Sequence, residues 1–431
     1  MDFIKWLYPG IGVKRWLLMV VAGFIFLAIS ISLITSYGIL GLLEFKIKYF
    51  IVNFLGMDVF WGGLFFLVLG ITFLIIGFVE VIRARSIYQE VFLKKGPKIV
   101  VIGGGTGLAV LLRGLKEYTN NITAIVSVAD DGGSSGRLRS QLGMLPPGDI
   151  RNCLVALADR EVIMEEMFNY RFKQGQDLEG HNLGNLILAA MVDIYGNFEE
   201  AIRQTSKVLA IRGKVVPSTL EHLVLRANLE DGSIIVGESN IGKTKSPIKK
   251  INIIPASAKP VEEALEAIDE ADAIIFGPGS LYTSIIPNLL VQGIPEAIKA
   301  SPATKIYVCN VMTQPGETTG YTASQHLQAL IDHGGKNIIE YILLNNQPIS
   351  DSELRDRYFA DNAEQVEVDH SRLARIGVKV VEEEMLDENA LVRHNPDRLA
   401  RAIIKLLLSK KGSKLSFFER FILLEKIKDK E

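Results

Sequence analysis

Two long runs without a charged residue limit what the first part of this chain can fold into. Trp16 to Leu43 is uncharged for 28 positions and Val59 to Val79 for 21. At 1.5 Å per residue about 20 apolar residues cross a ~30 Å hydrocarbon core, so both runs are long enough. A buried core helix would carry polar punctuation that these runs lack. A cleaved signal peptide is the other alternative for the first run. Against it, the apolar stretch is too long and no small-x-small cleavage site precedes the second run. The expected unit is a two-helix transmembrane hairpin over residues 1–82, with spans at about 16–43 and 59–82.

Flanking charge orients that hairpin. Lys5, Lys14 and Arg15 precede the first span, and Arg83, Arg85, Lys94, Lys95 and Lys98 follow the second. The loop between carries Lys46 and Lys48 against Glu44 and Asp58. The bias predicts a multi-pass cell-membrane protein with both termini and the remaining domain in the cytoplasm and the loop outside. Trp6, Tyr8, Trp16 and Trp61 suit the membrane interfaces. No Asp, Glu, Lys, Arg or His lies within the two uncharged runs, so the hairpin reads as an anchor, not a transport path.

The rest of the chain changes character. Residues 83–97 read as a short polar linker or helix ending at Gly96-Pro97. Short β-branched runs then alternate with helical segments, which predicts a parallel sheet with crossover helices over residues 98–410. The expected parallel strands are Lys98–Ile102, Ile122–Val128, Ala273–Phe276, Lys305–Cys309, Ile338–Leu344 and Val378–Val381. A long insertion, about 138–260, is helical to Leu209 and closes with a hairpin of His222–Leu229 and Ser233–Glu238 turned at Glu230-Asp231-Gly232. The tail, 411–431, is amphipathic, with Phe417, Phe421 and Leu424 on one face. Such a stretch packs on its own domain or lies on a membrane. Lys plus Arg total 47 against 49 Asp plus Glu, a balance that argues against nucleic acid as partner. Cys153 and Cys309 are too far apart for a C-x-x-C motif, so neither a disulfide framework nor a cysteine zinc site is expected.

Chemistry concentrates at strand ends. The first strand runs into Gly103-Gly104-Gly105-Thr106-Gly107 and then a helix. Such a loop lets backbone N–H groups approach an anion at a helix N-terminus. The spacing is neither the dinucleotide fingerprint nor a P-loop, and the bland alternative is a tight turn needing glycine only for packing. The second strand ends in Asp130, Asp131, Gly132, Gly133, Ser134, Ser135, Gly136, Arg137, Leu138 and Arg139. Asp130 stands where nucleotide folds place an acid for ribose hydroxyls, and Arg137 and Arg139 add an anion-friendly element. The pair Asp130 and Asp131 could also hold Mg2+. The alternative is a solvated loop. Pro146-Pro147-Gly148-Asp149 opens a helix that is expected to carry Arg151 and Asn152 to the same cleft. Asn182 and Asn185 serve either as helix caps or as sugar-reading amides. Gly277, Gly279, Ser280, Tyr282, Thr283 and Ser284 follow the third strand, where ligands sit in open α/β sheets, with Asn310 and Thr313 beyond the fourth. One shared crevice for a phosphate-bearing ligand is the expectation. No nucleophile elbow, H-x-x-x-H pair or catalytic base stands out.

The segments IGGGTGLAVLLRGLK, VADDGGSSGRLR, PPGDIRN, GHNLGNL, GPGSLYTSIIPNL and NVMTQPGETTGYTASQH together resemble the bacterial gluconeogenesis factor family. Its sister family is the 2-phospho-L-lactate transferases. The resemblance covers Lys98 to Leu408. It implies a Rossmann-like three-layer α/β sandwich, UDP-N-acetylglucosamine as ligand, and a role in cell shape and wall synthesis during gluconeogenic growth. It also implies that Tyr282 contacts the nucleotide sugar and that the Gly103–Gly107 and Asp130–Arg139 loops meet phosphates. The alternative it brings is a transferase moving a phospho-lactyl group from a guanylated donor with Mg2+. The hairpin departs from the family's usual soluble form. Proteins of wall synthesis, the membrane and a second copy in a homodimer complete the expected partners.

Overall fold

The computed structural model describes residues 13–35, 41–54, 56, 58–159, 161–387, 391–410 and 417–428. The chain divides into two compact units, Met1–Phe92 and Leu93–Glu431.

The first unit holds helices α1 (Val13–Thr35), α2 (Leu42–Asn53) and α3 (Val59–Lys94). Within them Arg15–Thr35 and Val59–Arg83 are long and apolar enough to cross a membrane. Their large side chains point mostly outward; Phe24 and Phe65 are each 57% exposed, the reverse of a soluble core helix. Gly63, Gly70 and Gly77 recur every seventh residue along α3 and let α1 approach closely. A Cβ at Gly70 would stand 3.0 Å from the Gly23 carbonyl oxygen, and one at Gly77 would stand 2.6 Å from Val20 Cγ2. Ser30 Oγ donates to the Gly63 carbonyl at 2.8 Å, so a hydroxyl inside the apolar unit is satisfied. The segment between the spans, expected as a loop, contains the helix α2. The polar stretch after the second span continues α3 to Lys94, because nothing breaks the helix before Gly96-Pro97.

The second unit is built on seven parallel strands. They are β1 (Ile99–Gly103), β2 (Ile122–Val126), β3 (Lys214–Pro217), β7 (Ala273–Phe276), β8 (Thr304–Val308), β9 (Tyr341–Asn345) and β10 (Lys379–Glu383). Across the sheet their order is β10-β9-β8-β7-β1-β2-β3. Six match expected strands to within about three residues at each end. The edge strand β3 is an addition to the expected set, since its four residues offer only Val215 and Val216 before Pro217 stops the ladder. A separate antiparallel sheet pairs β4 (Val224–Leu229) with β5 (Ile234–Val236), the expected hairpin, and with a further strand, β6 (Ile248–Ile254).

Chain order fixes the site. From β1 the sheet grows one way through β2 and β3, and from β7 it grows the other way through β8 to β10. Right-handed crossovers therefore put the helices of the two halves on opposite faces, giving the three-layer sandwich. They also leave a crevice where β1 and β7 lie side by side, with Ile102 opposite Phe276. The helix after β1, α4 (Gly105–Leu115), buries Leu108, Leu111, Leu112 and Leu115, each adding about 1.5–3 kcal/mol. That packing holds the helix N-terminus over the crevice. The insertion supplies α5 (Gly133–Leu142), α6 (Gly148–Leu157) and the helices Glu161–Asn169, Leu183–Tyr195 and Phe198–Val208. In the tail the helix Phe417–Lys428 buries Leu423 and Ile427 and contacts the helix Pro396–Ser409; the side chains of Phe417 and Phe421 lie outside the described residues. Cys153 and Cys309 are both buried and free.

Candidate functional site

β1 is a strand because four consecutive β-branched residues are buried on both faces; it ends at Gly103, where the chain must turn into α4. Gly104 is extended and Gly105 takes φ +69, the left-handed region that a side chain would strain. A Cβ at Gly107 would stand 2.5 Å from the Pro278 carbonyl oxygen, so the loops after β1 and β7 press directly on each other. No side chain caps α4 through its N-cap residue. Its first amides face a cleft of about 700 Å3 lined by both loops.

The loop after β7 is held from behind. Gly279 N–H donates to Asn310 Oδ1 at 2.9 Å, and Asn310 Nδ2 donates back to the Gly279 carbonyl at 2.8 Å. Ser280 Oγ donates to Gln314 Oε1 at 2.8 Å. Glu317, only 4% exposed, accepts from the Tyr282 amide at 3.2 Å, Thr283 Oγ1 at 3.0 Å and Gln314 Nε2 at 3.0 Å. Burial pushes its carboxyl up to about 7, against the pull of the Thr283 hydroxyl and the Tyr282 and Thr283 amides. The π-helical turn Leu281–Ile285 is thus anchored to the loop after β8.

Of the residues expected from sequence, Gly104, Gly105, Thr106, Gly107, Asp130, Gly279, Ser280, Thr283 and Asn310 line the cleft, as do Ser284 and Thr313. The others are placed elsewhere. Gly103 ends β1, and a Cβ at Gly277 would strike Leu108 Cδ1 at 2.5 Å, so these two serve strand and helix packing. Asp131 Oδ2 accepts from the Glu238 amide at 3.0 Å and its Oδ1 from the Ser239 amide at 2.8 Å. The Asp130–Asp131 pair therefore does not converge on one point. Among the described residues no group of three or more His, Cys, Asp or Glu is arranged to hold a metal ion.

Gly132 donates its amide to Asp130 Oδ1 at 2.9 Å, and Gly133 opens α5 with φ +48. Ser134 Oγ lies 3.1 Å from His181 Nδ1 and accepts from the Asn182 amide and Asn185 Nδ2, both at 3.2 Å. Ser135 is buried beside Gly148. Arg137 Nη2 donates to the Glu179 carbonyl at 2.9 Å, and Arg139 Nη2 to the Leu223 carbonyl at 2.7 Å. Asn182 caps the helix Leu183–Tyr195 through the Asn185 amide, and Asn185 Oδ1 accepts from Arg151 Nη1 at 3.0 Å. These groups buttress the insertion and stand outside the lining. Tyr282 is buried, with its hydroxyl 3.0 Å from that of Tyr321 and its ring edge-on to Tyr321 and His333. Two rings stand at the cleft wall, those of Tyr358 and His394.

Sequence reasoning missed that wall and the acids of the floor. Met312 and Gln314 come from the segment after β8, Tyr358 from that after β9, and Arg393 and His394 from that after β10. Asp149, not Arg151 or Asn152, is the residue by which α6 reaches the cleft. Its carboxyl is pushed up to about 7 by burial and by the charge of Asp130, against the Gly105 amide and Arg151. Glu238 also rises to about 7, through burial first and then Asp130 and Asp131. The only sequence signal for Asp149 is a lone acid at a helix start, which ordinarily serves the helix dipole.

Comparisons with known proteins bear on the family and the fold. The 2-phospho-L-lactate transferase CofD family model matches residues 99–386. A relative in Clostridium acetobutylicum is 44% identical over 100% of this chain and 98% of its own length, so the likeness includes the N-terminal unit. The gluconeogenesis factor of Bacillus subtilis is 50% identical over 72% of this chain and 98% of its own. A crystal structure of a UPF0052 family protein from Bacillus halodurans is 52% identical, with a TM-score of 0.70 over 72% of this chain and 99% of that one. The chain belongs to the gluconeogenesis factor family, carried on a CofD-type α/β domain.

Proposed function

We propose that the protein is a membrane-anchored binder of a nucleoside-diphosphate sugar, with UDP-N-acetylglucosamine the expected compound. The observation that carries the reading is the meeting of two glycine loops at the switch point, where the N-terminal turn of α4 opens on a cleft of about 700 Å3. A diphosphate there receives N–H donors and the positive end of the helix dipole without a lysine. Asp130, four residues past β2, lines the same cleft and would accept from ribose hydroxyls. Tyr358 offers a ring for the base, and Arg393 a charge for the distal part. The hairpin keeps the domain at the membrane with its ends in the cytoplasm, where it reports precursor supply to proteins of wall synthesis during gluconeogenic growth. Calorimetry on the full chain in nanodiscs tests this. Binding of UDP-N-acetylglucosamine well below 1 mM, tighter than about −4 kcal/mol, supports it, and no heat up to that concentration ends it.

A second reading is favoured by one observation, the crowding of Asp130, Asp149 and Glu238 beside the phosphate loop. Buried carboxyls crowded by another acid are relieved by a divalent cation. Asp130 and Asp149 would hold Mg2+ delivered with a guanylated donor, and the ion would neutralise charge on a transferring phosphoryl group. Tighter binding of GDP than of UDP, dependent on Mg2+, selects this transferase reading.

A further inference from the structure

We propose that α2 is an interfacial helix whose aromatic face lies among the headgroups and upper acyl chains of the bilayer that α1 and α3 cross. The inference rests on reading those two helices as spans. At 12 residues α2 covers about 18 Å, too short for a ~30 Å core. Six residues, 36–41, join it to α1, and five, 54–58, join it to α3, so its ends stay within about 20 Å of the ends of those two helices. One side is already occupied. Ile51 is buried and Ile47 packs with it against Ile29, Leu33, Val59 and Phe66.

The remaining side is strongly apolar yet uncovered. Phe45 is 68% exposed, Tyr49 65%, and Phe54, just past the end of the helix, 77%. In bulk water such a row would be costly, and at a headgroup boundary it is favoured, since aromatic rings prefer that depth. The positions of the cations agree. At 100° per residue Lys46 and Lys48 fall roughly 80° to either side of the Phe45–Tyr49 direction, the arrangement in which lysine stems lie along lipid and ammonium groups reach water. A partner protein would need no such lysine pair, and the short tethers leave it little room.

Spin labels in the full chain, reconstituted in phosphatidylcholine vesicles, test the proposal. Cys153 and Cys309 are buried, so labels report introduced sites. Phe45→Cys and Tyr49→Cys should show several-fold lower collision with a water-soluble nickel chelate than Leu220→Cys, an exposed position of the α/β unit, and higher collision with oxygen. Nickel access at 45 and 49 equal to that at 220 overturns the proposal. Phe65→Cys, in the second span, separates the two readings. If 65 is shielded while 45 and 49 are wet, only the interfacial helix fails. If all three are wet, the anchor fails with it.

Discussion

The two units put glycine to opposite uses. In the hairpin Gly63, Gly70 and Gly77 lie inside a helix, seven residues apart, and remove side chains so that another helix can approach. In the α/β unit Gly104, Gly105 and Gly107 cluster at a strand end, where they open backbone amides towards a cleft and let the loop after β7 press in. The difference is legible as spacing. Periodic glycine within an apolar run is packing, whereas clustered glycine after a β-branched run is a loop that an anion can approach. Substitutions in the first set should move hairpin stability and leave ligand affinity alone. Substitutions in the second should remove binding.

Gly107→Val gives the largest expected effect. Its Cβ would collide with the Pro278 carbonyl, so both loops must shift, destabilising the unit by about 3 kcal/mol and abolishing ligand heat in calorimetry. Unchanged affinity would break the comparison. Glu317→Ala comes next, because it leaves the Tyr282 amide, the Thr283 hydroxyl and Gln314 without their buried acceptor. A loss of about 2–3 kcal/mol in urea unfolding is expected, with weaker ligand binding, while Ser284 and the β1 loop stay in place.

Asp149→Asn should act through pH. The folded carboxyl titrates near 7, against 3.8 for an unperturbed one, so the native state holds the proton more tightly. Its stabilising contribution is complete below pH ~4 and is lost as pH rises through about 7. The amide, which cannot ionise, should therefore flatten the stability profile between those values and raise stability at pH 8 by about 1–2 kcal/mol, a figure reduced for partial solvation. Affinity for a diphosphate should also stop falling as pH passes 7. The smallest effect belongs to the hairpin. Gly70→Ala, with its methyl 3.0 Å from the Gly23 carbonyl, should cost about 1 kcal/mol in detergent melting and leave ligand affinity unchanged.

Much of this was legible in the sequence because the signals were local. Uncharged length gave the two long apolar helices, and β-branched runs gave six of the seven sheet strands. β3 escaped because its neighbours in space, Thr123 to Val126, lie some 90 positions away and its own four residues carry little pattern. At the site, residue type marked where the loops are but not which member of each faces the cleft. Asp130 and Asp131 are adjacent and alike, yet only one lines it, since the other is taken by amides of residues 238 and 239. Tyr282 is held away from the lining, its amide by Glu317, 35 positions further on, and its hydroxyl beside Tyr321, whereas Tyr358 lines the cleft. Long-range pairing assigned the roles, and no spacing rule reports it.

The direct test is a structure of the full chain with UDP-N-acetylglucosamine. The account predicts the diphosphate within hydrogen-bond reach of the Gly105–Gly107 amides, bridging towards Gly279 and Ser280 at the junction of β1 and β7. A nucleotide sugar bound away from that junction, with those amides facing solvent, would contradict it.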